Sequence, residues 1–430
     1  MDFPTYWLLI AAALVLFMTP GVAFFYGGLV KAKSVVSMMM LSFGTIGLVG
    51  VLWMLFGFNM AFVDGSSADW IPRVLGNPFS DFALNDAANA AFGGDGAASF
   101  VLANAAFGST FAIITVALIS GAIADRARFF PWLLFAGLFA VLAYFPVASW
   151  VFSFTTDDQG VPTFTGWIGN LGSALGFDTG TIDYAGGTAV HINAGAAALA
   201  LALVLGKRKV FSKETAVPHN VPLVLIGAAV LWFGWFGFNA GATLATGTAG
   251  TNGSAALIIV NTIVCPAAAA LGFIVIEHFR NGKATAVGAA SGVVAGLVAI
   301  TPSCANLTPF WSIVLGLVAG AVCAVAIDLK YKLGFDDSLD VVGLHLVAGV
   351  LGTLYLGFFA IDTGLFTGGG NLEQFIVQLI PAVAVALYSF VVAFVIAKII
   401  DATIGFRVTE EEEVAGIDSV LHGSEGYALD

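Results

Sequence analysis

The chain of 430 residues is 59% hydrophobic, and only 10% of its residues are charged. Because about 25% of the residues in an ordinary soluble domain are charged, this composition excludes a soluble globular protein. The net charge of -12 does not indicate a surface for nucleic acid or for an acidic substrate, because the acidic residues lie mainly in predicted outer loops and in the C-terminal tail around 410–413.

Long apolar runs recur along the whole chain, and a run of about 20 residues can cross a hydrocarbon core about 30 Å thick. The first run follows no basic segment and is too long for a signal peptide, so it is predicted to stay as a helix. We therefore predict an all-α integral membrane protein. Its eleven transmembrane helices lie near 6–28, 35–62, 98–124, 129–152, 185–206, 220–243, 254–276, 286–305, 310–329, 341–361 and 373–400.

The basic residues predict the orientation, because Lys and Arg concentrate in the cytoplasmic loops of membrane proteins. With the N-terminus outside, every basic residue except Arg73 falls on the cytoplasmic side. These residues are Lys31, Lys33, Arg126, Arg128, Lys207, Arg208, Lys209, Lys213, Arg280, Lys283, Lys330, Lys332, Lys398 and Arg407. We expect a multi-pass protein of the cell membrane, plasma or inner, with a cytoplasmic C-terminus.

The order of the spans predicts an inverted repeat. Five spans precede the basic loop around 207–219 and five come after it, so the second set runs upside down relative to the first. The predicted units are a first repeat over 1–213, a second over 214–361, the eleventh helix within 362–405 and a cytoplasmic tail over 406–430. Long outer loops cover 63–97 and 153–184, the latter with Asp157 and Asp158.

Two histidines lie in matching positions of these repeats. His191 follows Asp183 by eight residues and precedes Gly195 by four, and His345 stands in the same frame between Asp337 and Gly349. An ionisable group at membrane depth is costly and marks a functional site. A single buried histidine is more often a satisfied core residue, but two in repeated frames predict a pair near the middle of the membrane.

Neutral imidazoles are favoured in an apolar wall, and each offers one hydrogen-bond donor and one acceptor. No third ligand accompanies the pair, so neither a metal site nor a cofactor is predicted. Cys265, Cys304 and Cys323 have no metal-ligand or disulfide spacing and are interpreted as packing residues. The chain also lacks a nucleophile, base and acid set, which argues against an enzyme.

Aromatic side chains near the histidine spans indicate a small cation. Phe107 and Phe111 are one helical turn apart, so both rings can face one groove, and aromatic faces attract cations. An intact ion of ammonium size pays several kcal/mol or more to enter a low-dielectric pore. A weak acid that arrives as a cation and loses a proton before passage is therefore the substrate that these residues suit.

Several motifs resemble the ammonium transporter, methylammonium permease and Rhesus family, in its prokaryotic ammonium transporter branch. The resemblance covers nearly the whole chain. The motifs are Pro20-Gly21 with Phe25-Tyr26-Gly27-Gly28, the string from Asp183 to Asn193, Trp235-Phe236-Gly237-Phe238-Asn239-Ala240-Gly241, Asp336-Asp337 leading to His345, and His422-Gly423 with Gly426-Tyr427 in the tail.

This resemblance implies a homotrimer with one pore in each subunit, which deprotonates ammonium, or methylammonium as an analogue, and passes ammonia beside the histidines with net charge movement. It implies that His191 and His345 relay the proton. It also implies a phenyl gate, an outer ammonium site and supporting residues. The gate is Phe111 and Phe238, the outer site includes Phe107, and the supporting residues are Asp183 as a helix cap, Trp235 in the pore wall, and Phe25 and Tyr26 near the inner exit.

Two positions depart from the family pattern. The outer-site tryptophan falls on Phe152 and the outer-site serine on Ala242, so affinity there is expected to be weaker. Trp150 would supply an indole face if the helix end unwound. Two alternatives to transport remain, an ammonium sensor that conducts little and an electroneutral ammonia channel. The tail resembles a docking segment for a PII-type nitrogen regulator, with a merely solvated acidic tail as the other interpretation.

Overall fold

The computed structural model describes residues 3–156, 162–212, 217–245 and 255–427. Asp157, Asp158, Lys213 and the predicted repeat boundary at 213 and 214 lie outside these ranges. Within them the chain is predominantly helical, with one two-stranded antiparallel sheet that pairs Phe154–Thr156 with Pro162–Phe164.

Ten of the described helices are long and apolar enough to cross a membrane, and Ala286–Ile300 is a shorter apolar helix of 15 residues at the predicted eighth span. The predicted count of eleven is compatible with this set. The first to seventh spans are Phe3–Leu29, Ala32–Met60, Gly96–Ile123, Phe129–Phe152, Gly187–Leu205, Val221–Thr243 and Ala255–Asn281. After the eighth come Pro309–Leu333, Val342–Phe359 and Glu373–Ile404.

Short helices lie in the loops and the tail. The loop after the second span contains Asn85–Phe92, the loop before the fifth contains Leu171–Leu175, and the tail contains Glu410–Ala415 and Ile417–His422. The loops after the first, third and fifth spans lie at one end of the helix bundle, here called the basic face. The tail packs against this end and forms hydrogen bonds with residues next to several spans.

The first and sixth spans form the most extensive helix contact of the bundle. Small residues allow it: a Cβ atom on Gly227 would lie 2.3 Å from the backbone nitrogen of Phe25. In lipid the hydrophobic effect does not drive helices together. Close backbone packing of this kind therefore stabilises their association. The contact fixes Phe25 and Tyr26 of the first span beside Trp235 of the sixth.

The fifth and tenth spans both begin with π-helical turns, Gly187–Ile192 and Val342–Leu346. Each turn carries one of the two histidines near its end. Two further π-turns, Trp53–Gly57 and Ala140–Tyr144, interrupt the second and fourth spans. Such turns are rare in helices and frequently lie at functional sites.

The tail is anchored to the basic face by buried acidic side chains. Asp418 accepts hydrogen bonds from the backbone nitrogens of Val36, at 3.0 Å, and Ser37, at 2.7 Å, at the start of the second span. Glu413 pairs with Arg407 at 2.7 Å and accepts from the backbone nitrogen of Lys209 at 2.7 Å. The described part of the tail is therefore packed against the basic face of its own chain.

Candidate functional site

His191 and His345 meet in the interior of the bundle. Their Nδ1 atoms lie 3.2 Å apart, and the rings are inclined by 23° with centroids 5.4 Å apart. Exposure is 1% for His191 and 3% for His345, so solvent reaches neither side chain from outside the passage. At this distance one Nδ1–H group donates a hydrogen bond to the other Nδ1. Of the two facing nitrogens, one therefore carries a hydrogen and the other does not.

Asp183 holds the helical turn that carries His191. Its carboxylate accepts hydrogen bonds from the backbone nitrogens of Gly186, Gly187, Thr188 and Ala189 and from the Thr188 hydroxyl. These are the N–H groups that a helix start leaves without intrahelical partners. The contacts are those of a helix cap, and they leave little of the carboxylate available for a substrate.

Asp337 does the same for His345. Its carboxylate accepts from the backbone nitrogens of Val341, at 3.1 Å, and Val342, at 2.7 Å. The matching frames in the sequence thus give matching local structures, an aspartate cap followed by a π-turn that ends in histidine. The two turns face each other because their helices cross closely at Gly195 and Gly349.

Trp235 orients the first histidine. Its indole stacks on the His191 ring with an interplanar angle of 14° and a centroid distance of 5.5 Å. The indole nitrogen donates to the hydroxyl of Thr301 at 2.9 Å. Stacking on one side and the His345 bond on the other restrict the rotation of the His191 ring.

Two phenyl rings cover the histidines on the side away from the basic face. Phe111 and Phe238 stack at 4.0 Å with an interplanar angle of 12°, and Phe238 also lies 6.2 Å from His191. Phe111 lines one cavity and Phe238 lines the next, so the stacked pair separates them. A solute can pass between these cavities only if the rings move.

The cavity on the Phe111 side, here called the aromatic cavity, has a volume of about 80 Å³. Four of the residues predicted for the gate or the outer ammonium site line it, namely Phe107, Phe111, Phe152 and Ala242. Sequence reasoning missed Trp53, Asn104, Tyr144 and Tyr184, which also line it. Trp53 reaches the cavity from the second span, where one aromatic residue among many carries no signal in the sequence.

Trp150 does not line the aromatic cavity. The fourth span stays helical through Phe145–Phe152, and the Trp150 indole donates to the Val74 carbonyl at 2.9 Å. Its ring packs instead against Trp167 and Tyr388. The helix end does not unwind as the alternative for Trp150 required, because this hydrogen bond and packing hold the side chain on the far side of the helix.

The cavity on the Phe238 side, here called the histidine cavity, is narrow. Its volume is about 10 Å³, about the room that one water molecule needs. Both histidines, Trp235, Phe25 and Tyr26 line it, and the described lining residues include no Lys, Arg, Asp or Glu. A desolvated cation in this cavity would meet no compensating carboxylate.

The histidine cavity leads toward a larger cavity at the basic face, here called the basic-face cavity, because Leu339 lines both. This cavity has a volume of about 490 Å³ and a charged lining. Arg208 pairs with Asp336 at 2.9 Å and with Asp125 at 3.1 Å, and Lys330 pairs with Asp340 at 2.6 Å. The lining of the passage therefore changes from apolar to charged within a few residues.

The surroundings shift the pKa values of two aspartates near this cavity in opposite directions. Burial raises the pKa of Asp336, but Arg126 and Arg208 outweigh it and hold that pKa below its ordinary value. Burial raises the pKa of Asp337 to about 6, and the attraction of Lys330 only partly opposes it. Asp336 therefore favours its ionised form as an ion-pair partner, whereas Asp337 keeps its proton to a higher pH than an ordinary aspartate.

No group of three or more His, Cys, Asp or Glu side chains in the described ranges is placed to hold a metal ion. The site consists instead of an aromatic cavity, a stacked phenyl pair, a histidine pair in a narrow apolar cavity, and a charged cavity beyond. This arrangement can select a small polar solute and exchange protons with it.

The chain is similar to known proteins over nearly its whole length. Residues 6–427 match the Ammonium Transporter Family. An ammonium transporter of Mycobacterium bovis is 48% identical over 451 residues, covering 98% of this chain and 90% of the relative. One of Bacillus subtilis is 41% identical over 435 residues, covering 98% of both chains. A solved structure described as a sensor Amt protein matches with a TM-score of 0.83 at 27% identity, covering 97% of this chain and 98% of the other.

Proposed function

Because the chain belongs to the ammonium transporter family, whose members are membrane transport proteins and not enzymes, we propose that it transports ammonium through the passage described above. Ammonium is recruited in the aromatic cavity, loses a proton, and crosses the histidine cavity as ammonia with net charge movement. The observation that carries this proposal is the 3.2 Å histidine pair in a narrow cavity whose described lining has no charged side chain.

The aromatic cavity is the recruitment site in this proposal. Ring faces of Phe107 and Phe152 attract a cation by about 0.5 to 2 kcal/mol each, depending on how much water remains. Ala242 lines the same cavity and offers no hydroxyl, so binding relies on aromatic faces and on the polar groups of the other lining residues. Weak recruitment with low affinity is the expected consequence.

The cost of desolvation supports loss of a proton before passage. Moving an ion of ammonium size from water to a low-dielectric medium costs on the order of 20 kcal/mol in the idealised limit and several kcal/mol after relaxation. The contacts available in the histidine cavity do not offset that cost. Ammonia is neutral, and imidazole nitrogens can exchange hydrogen bonds with it at each step.

His191 and His345 serve as the relay. One Nδ1 donates to the other, and the Nε2 atom of His191 has no hydrogen-bond partner within the described part of the chain. That nitrogen can bond ammonia or pass a proton along the pair. The stacked Trp235 indole restricts rotation of the His191 ring and so keeps the nitrogen in place. Phe111 and Phe238 act as the gate whose movement admits each substrate molecule.

The wider assembly completes the proposal. We propose inverted five-helix repeats over 1–213 and 214–361, an outer N-terminus, a cytoplasmic basic face in the cell membrane, and a homotrimer with one pore in each subunit. The docked tail and the basic face form the surface on which a PII-type regulator is proposed to bind. The repeated cap, π-turn and histidine in the fifth and tenth spans support the inverted repeat.

An ammonium sensor is the second candidate. Phe152 and Ala242 weaken the aromatic cavity relative to the family pattern, and one structure that this chain resembles is described as a sensor Amt protein. A sensor binds ammonium and conducts little. An electroneutral ammonia channel, the third candidate, moves ammonia without current.

The test uses purified protein reconstituted in liposomes, with currents recorded on a solid-supported membrane after jumps of ammonium or methylammonium concentration. His191→Ala and His345→Ala are compared with wild type. His278→Ala is the matched control, because His278 is exposed near the end of the seventh span and lies outside the lining of the three cavities. A light-scattering or pH-dye assay of ammonia flux accompanies the currents.

A saturable wild-type current that both pore variants abolish or make unselective, with His278→Ala unchanged, is the expected result. Ammonia flux without current supports the electroneutral channel instead. Ammonium binding with neither current nor flux would rule out transport and favour the sensor.

A further inference from the structure

We propose that Thr301 is a positioning residue for the histidine relay, acting through Trp235, and that with Pro302 it couples the sixth span to the turn that carries His191. This inference rests on the proposed transport function. Thr301 lies at the C-terminal end of the eighth span and lines none of the three cavities described above.

The Thr301 hydroxyl is fully used. It is completely buried, donates to the carbonyl of Leu297 at 2.8 Å and accepts from the Trp235 indole nitrogen at 2.9 Å. Because its proton is committed to Leu297, its oxygen faces the indole as an acceptor. A side chain of the same shape without the oxygen would leave the buried indole N–H without a partner, which is costly.

Trp235 transmits that position to the relay. Its indole stacks on His191 at 14°, and His191 in turn meets His345 at 3.2 Å. Trp235 also contacts Phe238, with ring centroids 5.3 Å apart, so the same indole borders the inner ring of the stacked phenyl pair. A rotated indole would therefore change both the histidine geometry and the width of the histidine cavity.

Pro302 holds the same relay from its other side. Its carbonyl accepts from the backbone nitrogen of Tyr184 at 3.1 Å, one residue after the capping Asp183. Its ring packs on Gly187, where an added Cβ would lie 2.5 Å from the proline Cβ. Two adjacent residues thus hold the indole and the first residues of the His191 turn in one fixed relation.

The consequence is a role in selectivity. The indole that stacks on His191 and the capped turn that carries His191 are both held by residues at the end of the eighth span. If the indole is released, the histidine cavity changes shape, and a substrate with one more methyl group gains or loses access relative to ammonium. A residue with only a structural role would alter stability and leave that ratio unchanged.

The experiment measures the ratio of ammonium to methylammonium currents in proteoliposomes. Thr301→Val removes the hydroxyl and nearly preserves the side-chain shape. Thr301→Ser is a separate variant that keeps the hydroxyl. Thr262→Val is the matched control: Thr262 is also completely buried and accepts from a side chain of the sixth span, Asn239, at 3.0 Å, but it does not bond Trp235. Thermal unfolding checks that each variant is folded.

We expect Thr301→Val to change the current ratio by about fivefold, the factor that corresponds to a hydrogen bond of typical net strength. Thr301→Ser and Thr262→Val should keep the wild-type ratio. In a Trp235→Phe background, which has no indole N–H, Thr301→Val should cause no further change. If Thr301→Val does not fold, Thr301→Ala removes the same hydroxyl and replaces it in each comparison.

An unchanged ratio in a folded variant without the hydroxyl would overturn the inference while wild-type currents still support the proposed function. An equal change in the Trp235→Phe background would also overturn it, because Thr301 would then act by another route. Absence of both current and ammonia flux in wild type would overturn the proposed function and this inference with it.

Discussion

Gly195 packs so closely against Leu346 that a Cβ atom at position 195 would lie 2.5 Å from the Leu346 backbone nitrogen. Leu346 comes directly after His345, so this contact sets the distance between the helices that carry the two histidines. Backbone atoms cannot move aside as a flexible side chain can. The residue four positions after His191 must therefore be glycine for the pair to form as observed.

Gly195→Ala is expected to push the fifth and tenth spans apart, lengthen the His191–His345 contact and abolish most transport. Overpacking of this kind costs about 1 to 3 kcal/mol. Gly47→Ala is the control, because no atom lies within 4 Å of a Cβ built there. Currents and thermal unfolding of both variants check the prediction; equal behaviour of the two would contradict it.

Ala242→Ser should strengthen ammonium binding in the aromatic cavity, because it adds a hydroxyl acceptor to the lining. We expect the half-saturating concentration to fall about fivefold with little change in maximal current. Phe152→Leu removes an aromatic face and should raise that concentration by about twofold to thirtyfold.

Trp150→Phe is the control for this pair, because Trp150 bonds Val74 outside the cavity. Its half-saturating concentration should equal that of wild type. A change for Trp150→Phe as large as that for Phe152→Leu would mean that the cavity is not the recruitment site.

The stability of the protein in detergent should depend on pH through Asp337. Burial raises its pKa from 3.8 to about 6, so the folded state holds the proton more tightly than the unfolded state. The resulting stabilisation is complete below about pH 4 and is lost as the pH rises through about 6; it amounts to about 3 kcal/mol.

Asp337→Asn imitates the protonated side chain and should remove this dependence. Unfolding temperatures of wild type and variant between pH 4 and pH 7.5 check the prediction. The wild-type curve should fall relative to that of the variant as the pH rises. A difference that is constant across this range would show that Asp337 does not titrate there.

Asp418→Ala should loosen the tail from the basic face. The carboxylate caps the start of the second span through Val36 and Ser37, and loss of such a cap costs about 0.5 to 2 kcal/mol. Faster chymotrypsin cleavage in the tail, after Leu421 and Tyr427, is the expected result. Glu411→Ala, at an exposed position of the same tail, should be cleaved at the wild-type rate.

Sequence patterns predict the long helices closely, because apolar length determines a membrane crossing almost independently of tertiary contacts. The fourth span, for example, is predicted near 129–152 and is Phe129–Phe152. The repeated frames of His191 and His345 likewise indicate a pair. Burial of an ionisable side chain at membrane depth is costly, and hydrogen bonds to a second such side chain or to a substrate offset that cost.

The remaining features depend on contacts between distant segments. Trp53 reaches the aromatic cavity and Trp150 does not, yet both are tryptophans in apolar spans. Thr301 meets Trp235 across 66 positions of sequence, and no local pattern marks such a pair. The π-turns are also beyond prediction from the sequence, because a uniformly apolar segment has no polar stripe from which to measure the helical period.

The π-turns Gly187–Ile192 and Val342–Leu346 each add one residue to a single turn of a helix that carries a histidine. Deleting a single residue within Gly187–Ile192 would therefore leave a chain that can close as ordinary α-helix, with its hydrogen bonds intact. Because this π-turn spreads one extra residue over about the same rotation as an α-helical turn, the segments before and after the deletion would keep nearly their present orientation. In a regular α-helix the same deletion would turn one segment by about 100° relative to the other. The start of the fifth span could therefore lose one residue before His191 and still direct the imidazole toward His345.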